Sequence, residues 1–238
     1  VIHHLALSLN RAIDFGTMSA LEAALADAEQ ADSFILTGGA TVFALGGDLK
    51  AFSTLLSKEE GLGMARRMDA ILRRIETLPV PTMAVVNGAA YGGGVEILGA
   101  FDRVIAVEDA VFGFTQKRFG LPPGWGGLTR LGRRVEEGLL REWFDQMRVV
   151  DAQEAMRAGL VDGILEGRMQ GRIWYGRITD APLHAPIPNA PAHAPIPTRI
   201  ASRIADWPRI DAEIERFSEA WASEEHHSKV REFLSQSS

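Results

Sequence analysis

Residues 89–97 read Ala-Ala-Tyr-Gly-Gly-Gly-Val-Glu-Ile (AAYGGGVEI), three glycines and a lone carboxylate between two apolar segments. The preceding Thr82–Val86 (TMAVV) is short, apolar and branched, and lies between Pro79, Pro81 and Asn87-Gly88, so it reads as a fully buried strand. A helix is expected to begin near Gly94. Glycines at a strand-to-helix junction leave backbone N–H groups open to a ligand at the positive end of a helix; they serve equally well as a tight turn with close packing. The run is not a GxGxxG fingerprint, because Ile97 stands where the last glycine belongs, and the chain has no GK[ST].

A second turn of the same kind lies upstream. Phe43-Ala44-Leu45-Gly46-Gly47-Asp48-Leu49-Lys50 puts a glycine pair after an apolar run, with Asp48 able to cap the next segment. Two such turns could converge on one ligand. Ser33–Thr37 (SFILT), Arg103–Val107 (RVIAV) and residues 110–114 (AVFGF) read as further short strands. Ser57 with Glu60 forms a capping box for a helix whose apolar face is Leu62, Ala65, Met68, Ile71, Leu72 and Ile75, and Pro79 and Pro81 stop it. Asp151 with Glu154 predicts another capping box, Gly159 its C-cap, and residues 160–165 a returning strand. The alternation predicts an α/β fold.

Composition narrows the function. The net charge of -6 opposes a general nucleic-acid surface, which needs clustered Lys and Arg. Lys117-Arg118 and the Arg130, Arg133, Arg134 group could hold a small anion or lie on solvated helix faces. No apolar stretch approaches the roughly 20 residues of a membrane helix, so no membrane role is expected and a cytoplasmic setting is the default. The absence of cysteine excludes disulfides, thiolate metal sites and a cysteine nucleophile. The six histidines stand at no metal-ligand spacing: His3-His4 and His226-His227 are adjacent pairs expected at the surface, and His184 and His193 sit in a Pro-rich near-repeat. No metal is predicted.

The chain divides into a core at 1–165, an irregular Pro-rich segment at 166–200 and a helical region at 201–238. In the last, Ile214, Phe217, Ala220 and Trp221 line one helix and Val230, Phe233 and Leu234 a second, faces suited to docking or to contacts between subunits.

FALGGDLKAF and PTMAVVNGAAYGGGVEI resemble the two glycine motifs of the crotonase (enoyl-CoA hydratase/isomerase) superfamily, and DRVIAVEDAVFGF, GLPPGWGGLTRL and VVDAQEAMRAGLVDGIL come after them in that family's order. The resemblance covers about residues 5–165. It implies a spiral of ββα units with carboxy-terminal helices that support homotrimers or dimers of trimers. It also implies an acyl-CoA thioester as substrate, coenzyme A entering only as part of that substrate, and an enolate stabilised by the backbone N–H groups of Gly47 and Gly93. Leu45, Asp48, Leu49, Lys50 and Gly92 around these donors, with Trp125, are then expected to contact the substrate. Lys50 could reach the coenzyme's phosphates or be a plain surface lysine, Trp125 could narrow the pocket or fill core or interface, and Tyr91 could donate a proton or simply pack. Two regions are shorter than the resembled pattern, at residues 11–12 and after 165, where a short loop or missing residues are expected.

Glu96 matches one of the family's two catalytic glutamates. The other falls at Gln116, and an amide orients water or a carbonyl but exchanges no proton at neutral pH. Simple hydration is therefore disfavoured against a double-bond shift by one carboxylate, or against decarboxylation of a malonyl-type thioester, which forms the enolate without a base. Phe114-Thr115-Gln116-Lys117 and the downstream Pro123-Gly124-Trp125-Gly126-Gly127 are similar to the corresponding segment of ethylmalonyl-CoA decarboxylase-like members of that family. Hydration, and acyl-CoA binding without catalysis, are the alternatives.

Overall fold

The computed structural model describes residues 4–8, 12–39, 41–165 and 195–236, with side chains omitted at 4–8 and 196. Most of the Pro-rich segment, with His184 and His193, lies outside the described residues.

Nine strands are described: β1 (His4–Ser8), β2 (Ser33–Thr37), β3 (Val42–Ala44), β4 (Thr82–Val86), β5 (Ala89–Tyr91), β6 (Arg103–Val107), β7 (Val111–Gly113), β8 (Val149–Asp151) and β9 (Gly163–Leu165). They form two sheets, ordered β1-β2-β4-β6-β9 and β3-β5-β7-β8. Every pairing is parallel except β7 with β8. Successive strands alternate between sheets: β2 then β3, β4 then β5, β6 then β7. Each pair is one turn of a ββα spiral, as the family resemblance implies. All five residues of β2 and of β4 are buried, which is why neither shows the polar–apolar alternation of a half-exposed strand.

The Lys58–Thr77 helix carries the expected capping box: Ser57 Oγ accepts from Glu60 N at 3.2 Å, and Glu60 Oε2 accepts from Ser57 N at 2.9 Å. Met64, Ala65, Met68, Ile71, Leu72 and Ile75 are buried, and Leu62 is only partly so. Burying a side chain the size of Ile or Met contributes about 1.5–3 kcal/mol, so this stripe anchors the helix to the sheets.

Several local expectations change. The second capping box is half made: Asp151 accepts from Glu154 N at 2.7 Å, but the Glu154 carboxylate pairs with Arg148 instead, at 3.0 Å. The returning strand starts at Gly163, because the N–H groups of Leu160 and Val161 close back onto the Ala155 carbonyl and are lost to the ladder. The carboxy-terminal helical region starts at Ile196 rather than 201, since a proline in the first turn, here Pro197, forfeits no intrahelical bond. His226 is 2 % exposed, its ring 4.5 Å from Trp221 and its Nδ1 2.9 Å from the Phe119 carbonyl, so the surface expectation fails there.

The basic group at 130–134 is neither a solvated face nor a free anion site. Arg130 is fully buried and bonds Asp69 at 2.7 Å and Glu76 at 3.2 Å; Arg133 reaches Glu76 at 2.6 Å and Asp206 at 2.8 Å; Arg134 grips Asp162. Burial alone would raise the Glu76 carboxyl, but Arg130 and Arg133 hold it below the ordinary carboxylate range. Among the described residues no helix is long and apolar enough to cross a membrane.

Candidate active site

Because β3 and β5 run parallel and adjacent, with Ala44 opposite Ala90, the two glycine turns emerge side by side at one end of the small sheet. The first turn is clamped by Ile13: Ile13 N donates to the Gly46 carbonyl at 2.8 Å and Asp48 N to the Ile13 carbonyl at 2.9 Å. The N–H of Gly47 lies between those two bonds. In the second turn Gly92 N donates to the Gly113 carbonyl at 2.8 Å, leaving Gly93 as the first helical residue. Neither the Gly47 nor the Gly93 N–H has an acceptor among the described residues. The turns touch. A Cβ on Gly46, whose φ is +84°, would stand 3.0 Å from Gly93 N, so a side chain here meets both a left-handed backbone and the neighbouring turn.

The cavity beside these donors is lined by both turns and by Phe52, Met64, Thr115, Leu121, Phe217 and Trp221, among others. Of the residues singled out from sequence, Leu45, Gly47, Leu49, Gly92, Gly93, Glu96, Gln116 and Trp125 line it. Asp48 and Lys50 do not. Asp48 instead caps the Leu49–Phe52 helix, accepting from Lys50 N and Ala51 N at 2.9 Å, and Lys50 is exposed. Tyr91 is half-buried, and its ring packs where a Cβ of Gly113 would be. In sequence the apolar face of the Trp207–Trp221 helix reads as suited to docking or to contacts between subunits; Phe217 and Trp221 line the cavity of their own chain.

Trp125 sits on the glycines. A Cβ on Gly93 would lie 2.2 Å from its indole ring, and one on Gly47 3.7 Å. Only a residue without a side chain fits at 93 while the ring holds this place.

Glu96, 2 % exposed, accepts four hydrogen bonds. Oε1 takes Gln116 Nε2 at 2.8 Å and Gly124 N at 3.2 Å; Oε2 takes Trp125 N at 2.8 Å and Gly127 N at 3.2 Å. A carboxylate offers about four lone-pair positions, and all are filled by donors. Burial pushes the Glu96 carboxyl above the ordinary value against the pull of Gln116, Trp125 and Gly124, and the nearby Glu213 charge adds to the push. Among the described residues that line the cavity, Glu96 is the one ionisable side chain.

Glu213 is the site-related residue that sequence reasoning missed. It is 5 % exposed on the Trp207–Trp221 helix and accepts from Leu128 N at 3.1 Å and Thr129 N at 2.8 Å, and also from Thr129 Oγ1. Its signal was its place between Ile210, Ile214 and Phe217 on the apolar stripe, where a charge needs a partner.

The family model for enoyl-CoA hydratase/isomerase matches residues 8–169. The chain belongs to the enoyl-CoA hydratase/isomerase family. Relatives of this family include methylglutaconyl-CoA hydratase, mitochondrial, of Rattus norvegicus, 35 % identical over 139 residues, covering 58 % of this chain and 44 % of that protein. Ethylmalonyl-CoA decarboxylase of Gallus gallus is 30 % identical over 154 residues, covering 62 % of this chain and 52 % of that protein. The chain thus spans about half the length of the curated relatives it matches. Among solved structures, enoyl-CoA hydratase from Bacillus halodurans superposes with a TM-score of 0.77 at 20 % identity, covering 96 % of both chains. A likeness at that identity is one of fold, the crotonase spiral of this family.

Proposed function

We propose that the protein decarboxylates a malonyl-type acyl-CoA thioester. The thioester oxygen takes the N–H groups of Gly47 and Gly93. The bond between Cα and its carboxylate then breaks, the electron pair passes into the enolate, carbon dioxide leaves, and the enolate carbon takes a proton from water. Preorganised donors act most strongly where charge develops, each typically contributing about 10²- to 10³-fold in rate. The walls supplied by Phe52, Met64, Leu121, Phe217 and Trp221 strip water from the departing carboxylate.

One observation carries this choice within the family: Glu96, the one ionisable side chain among the described residues that line the cavity, has every acceptor position occupied by an N–H donor. Hydration and double-bond shift each ask a carboxylate to take a proton, and a base with no free lone pair must first break a buried hydrogen bond. Decarboxylation asks for none. The 30 % identity to ethylmalonyl-CoA decarboxylase supports the same reading, and the 35 % identity to methylglutaconyl-CoA hydratase favours hydration as the second.

Mass spectrometry of thioesters after incubation with crotonyl-CoA, a 3-enoyl-CoA, methylmalonyl-CoA and ethylmalonyl-CoA tests it. Loss of carbon dioxide from a malonyl thioester is expected. Water gain on crotonyl-CoA with both malonyl thioesters untouched would overturn the proposal in favour of hydration. The family resemblance also supports a homotrimer or dimer of trimers, which light scattering of the eluting protein would measure.

A further inference from the structure

We propose that Glu213 is a positioning residue for the reaction, holding the 124–129 turn in the register that keeps Trp125 on the oxyanion glycines. The role rests on the acyl-CoA reading of the site but not on which thioester reacts.

The Gly127–Leu131 helix begins at Gly126, which has φ +72° and no side chain to cap with. Nor could it have one: a Cβ there would stand 2.6 Å from Arg130 Nη1 and 2.7 Å from Ile210. The first-turn N–H groups of a helix have no intrahelical acceptor and, when buried, need one from elsewhere. Two carboxylates from distant parts of the chain supply it. Glu96 takes the N–H groups of 124, 125 and 127, and Glu213 takes those of 128 and 129, across 85 and 84 residues of sequence.

The turn is therefore held from both sides by anions, and Trp125 lies inside it. Its carbonyl is held as well, accepting from Arg130 Nη1. The charges facing Glu213 are Arg130, which favours its ionised form, and Glu96, which the Glu213 carboxylate opposes. Without Glu213 the N–H groups of Leu128 and Thr129 lose their acceptor, and relaxation of this first helical turn pulls on the adjoining segment that carries Trp125. A shift of about 1 Å in a site of this kind can cost about 10²-fold in rate.

Glu213→Gln keeps the volume but sets an NH₂ against one of the two backbone N–H groups. The full chain labelled with 5-fluorotryptophan gives one fluorine signal for each of five tryptophans, with Trp125 assigned by Trp125→Phe. The expected result is a shifted or broadened Trp125 signal with Trp143 unmoved, and kcat per folded molecule lower by about 10- to 100-fold with KM nearly unchanged. Turnover is read on whichever thioester the parent protein consumes. The fluorine signal needs no turnover, so failure of the decarboxylase reading leaves this test intact. A folded Glu213→Gln with the parent's Trp125 signal and kcat would overturn the proposal. Thr129→Val, which removes the hydroxyl donor to Glu213 and keeps both backbone N–H groups, is expected to move the Trp125 signal the same way by less. Should Glu213→Gln fail to fold, an unmoved Trp125 signal in Thr129→Val overturns the proposal.

Discussion

Replacing Glu96 by Gln separates two physical pictures of this carboxylate by the sign of a stability change. If the cost of burying its charge dominates, removing the charge stabilises the fold. If its four hydrogen bonds dominate, removal destabilises it. Gln keeps one carbonyl oxygen, enough for two of the four donors, and turns an NH₂ toward the other two. With the NH₂ toward the Oε2 donors, the N–H groups of Trp125 and Gly127 face a donor; with it toward the Oε1 donors, Gln116 can turn its own unpartnered Oε1 to accept, and the Gly124 N–H alone is left facing a donor. An unsatisfied buried donor costs about 1–3 kcal/mol, so the second arrangement, with one, is the one adopted. Relief of the buried charge offsets part of this, leaving an expected net loss of about 1 kcal/mol. In urea at pH 7.5, with a slope of about 2 kcal/mol per molar, the midpoint falls by about 0.5 M. Turnover is expected to disappear with the Trp125 turn while acyl-CoA binding persists. A Glu96→Gln protein as stable as its parent, or more so, would refute the reasoning and mark Glu96 as a desolvated base.

Gly93→Ala sets a methyl 2.2 Å from the Trp125 ring, so the ring must leave; kcat is expected to fall by about 10²- to 10³-fold, read on the thioester the parent consumes. Gln116→Glu puts a second carboxyl against Glu96 Oε1, now 2.8 Å from the amide nitrogen, and like charges so close raise one carboxyl's pKa. A carboxyl raised on folding supports the fold below its unfolded value and loses that support as pH rises through the folded value. Urea midpoints of Gln116→Glu should therefore decline from pH 5 to 8 relative to the parent. His226 runs the other way. Burial holds it below its ordinary 6.5, so the unfolded chain binds the proton first, and the parent's urea midpoint is expected to fall as pH drops below about 6.5, a slope that His226→Gln removes.

The features legible in the sequence are those that neighbours in sequence decide. β2 and β4 announced themselves as buried runs between turn residues, and Ser57 with Glu60 marked a helix start, because those bonds span three residues. The convergence of the glycine turns was legible as a possibility and results physically from the parallel pairing of β3 with β5. Two kinds of fact were not legible. Contacts closed across the fold leave no local pattern, as with Glu213 reaching Thr129 and Trp221 lining the cavity. Backbone donors are written in no letter, so nothing in GLPPGWGGLTRL says that three of its N–H groups end on Glu96.

Gln116 joins the two kinds. Its departure from the resembled pattern was plain in the sequence and read as the loss of one carboxylate. The structure gives it a second effect, because its Nε2 fills one of the four acceptor positions of the carboxylate that remains. A glutamate at 116 would bring a like charge there and leave that lone pair for water. On the proposed decarboxylation, that one departure both omits the second carboxylate and occupies the first, which suits a reaction in which the substrate's own carbon–carbon bond supplies the electron pair.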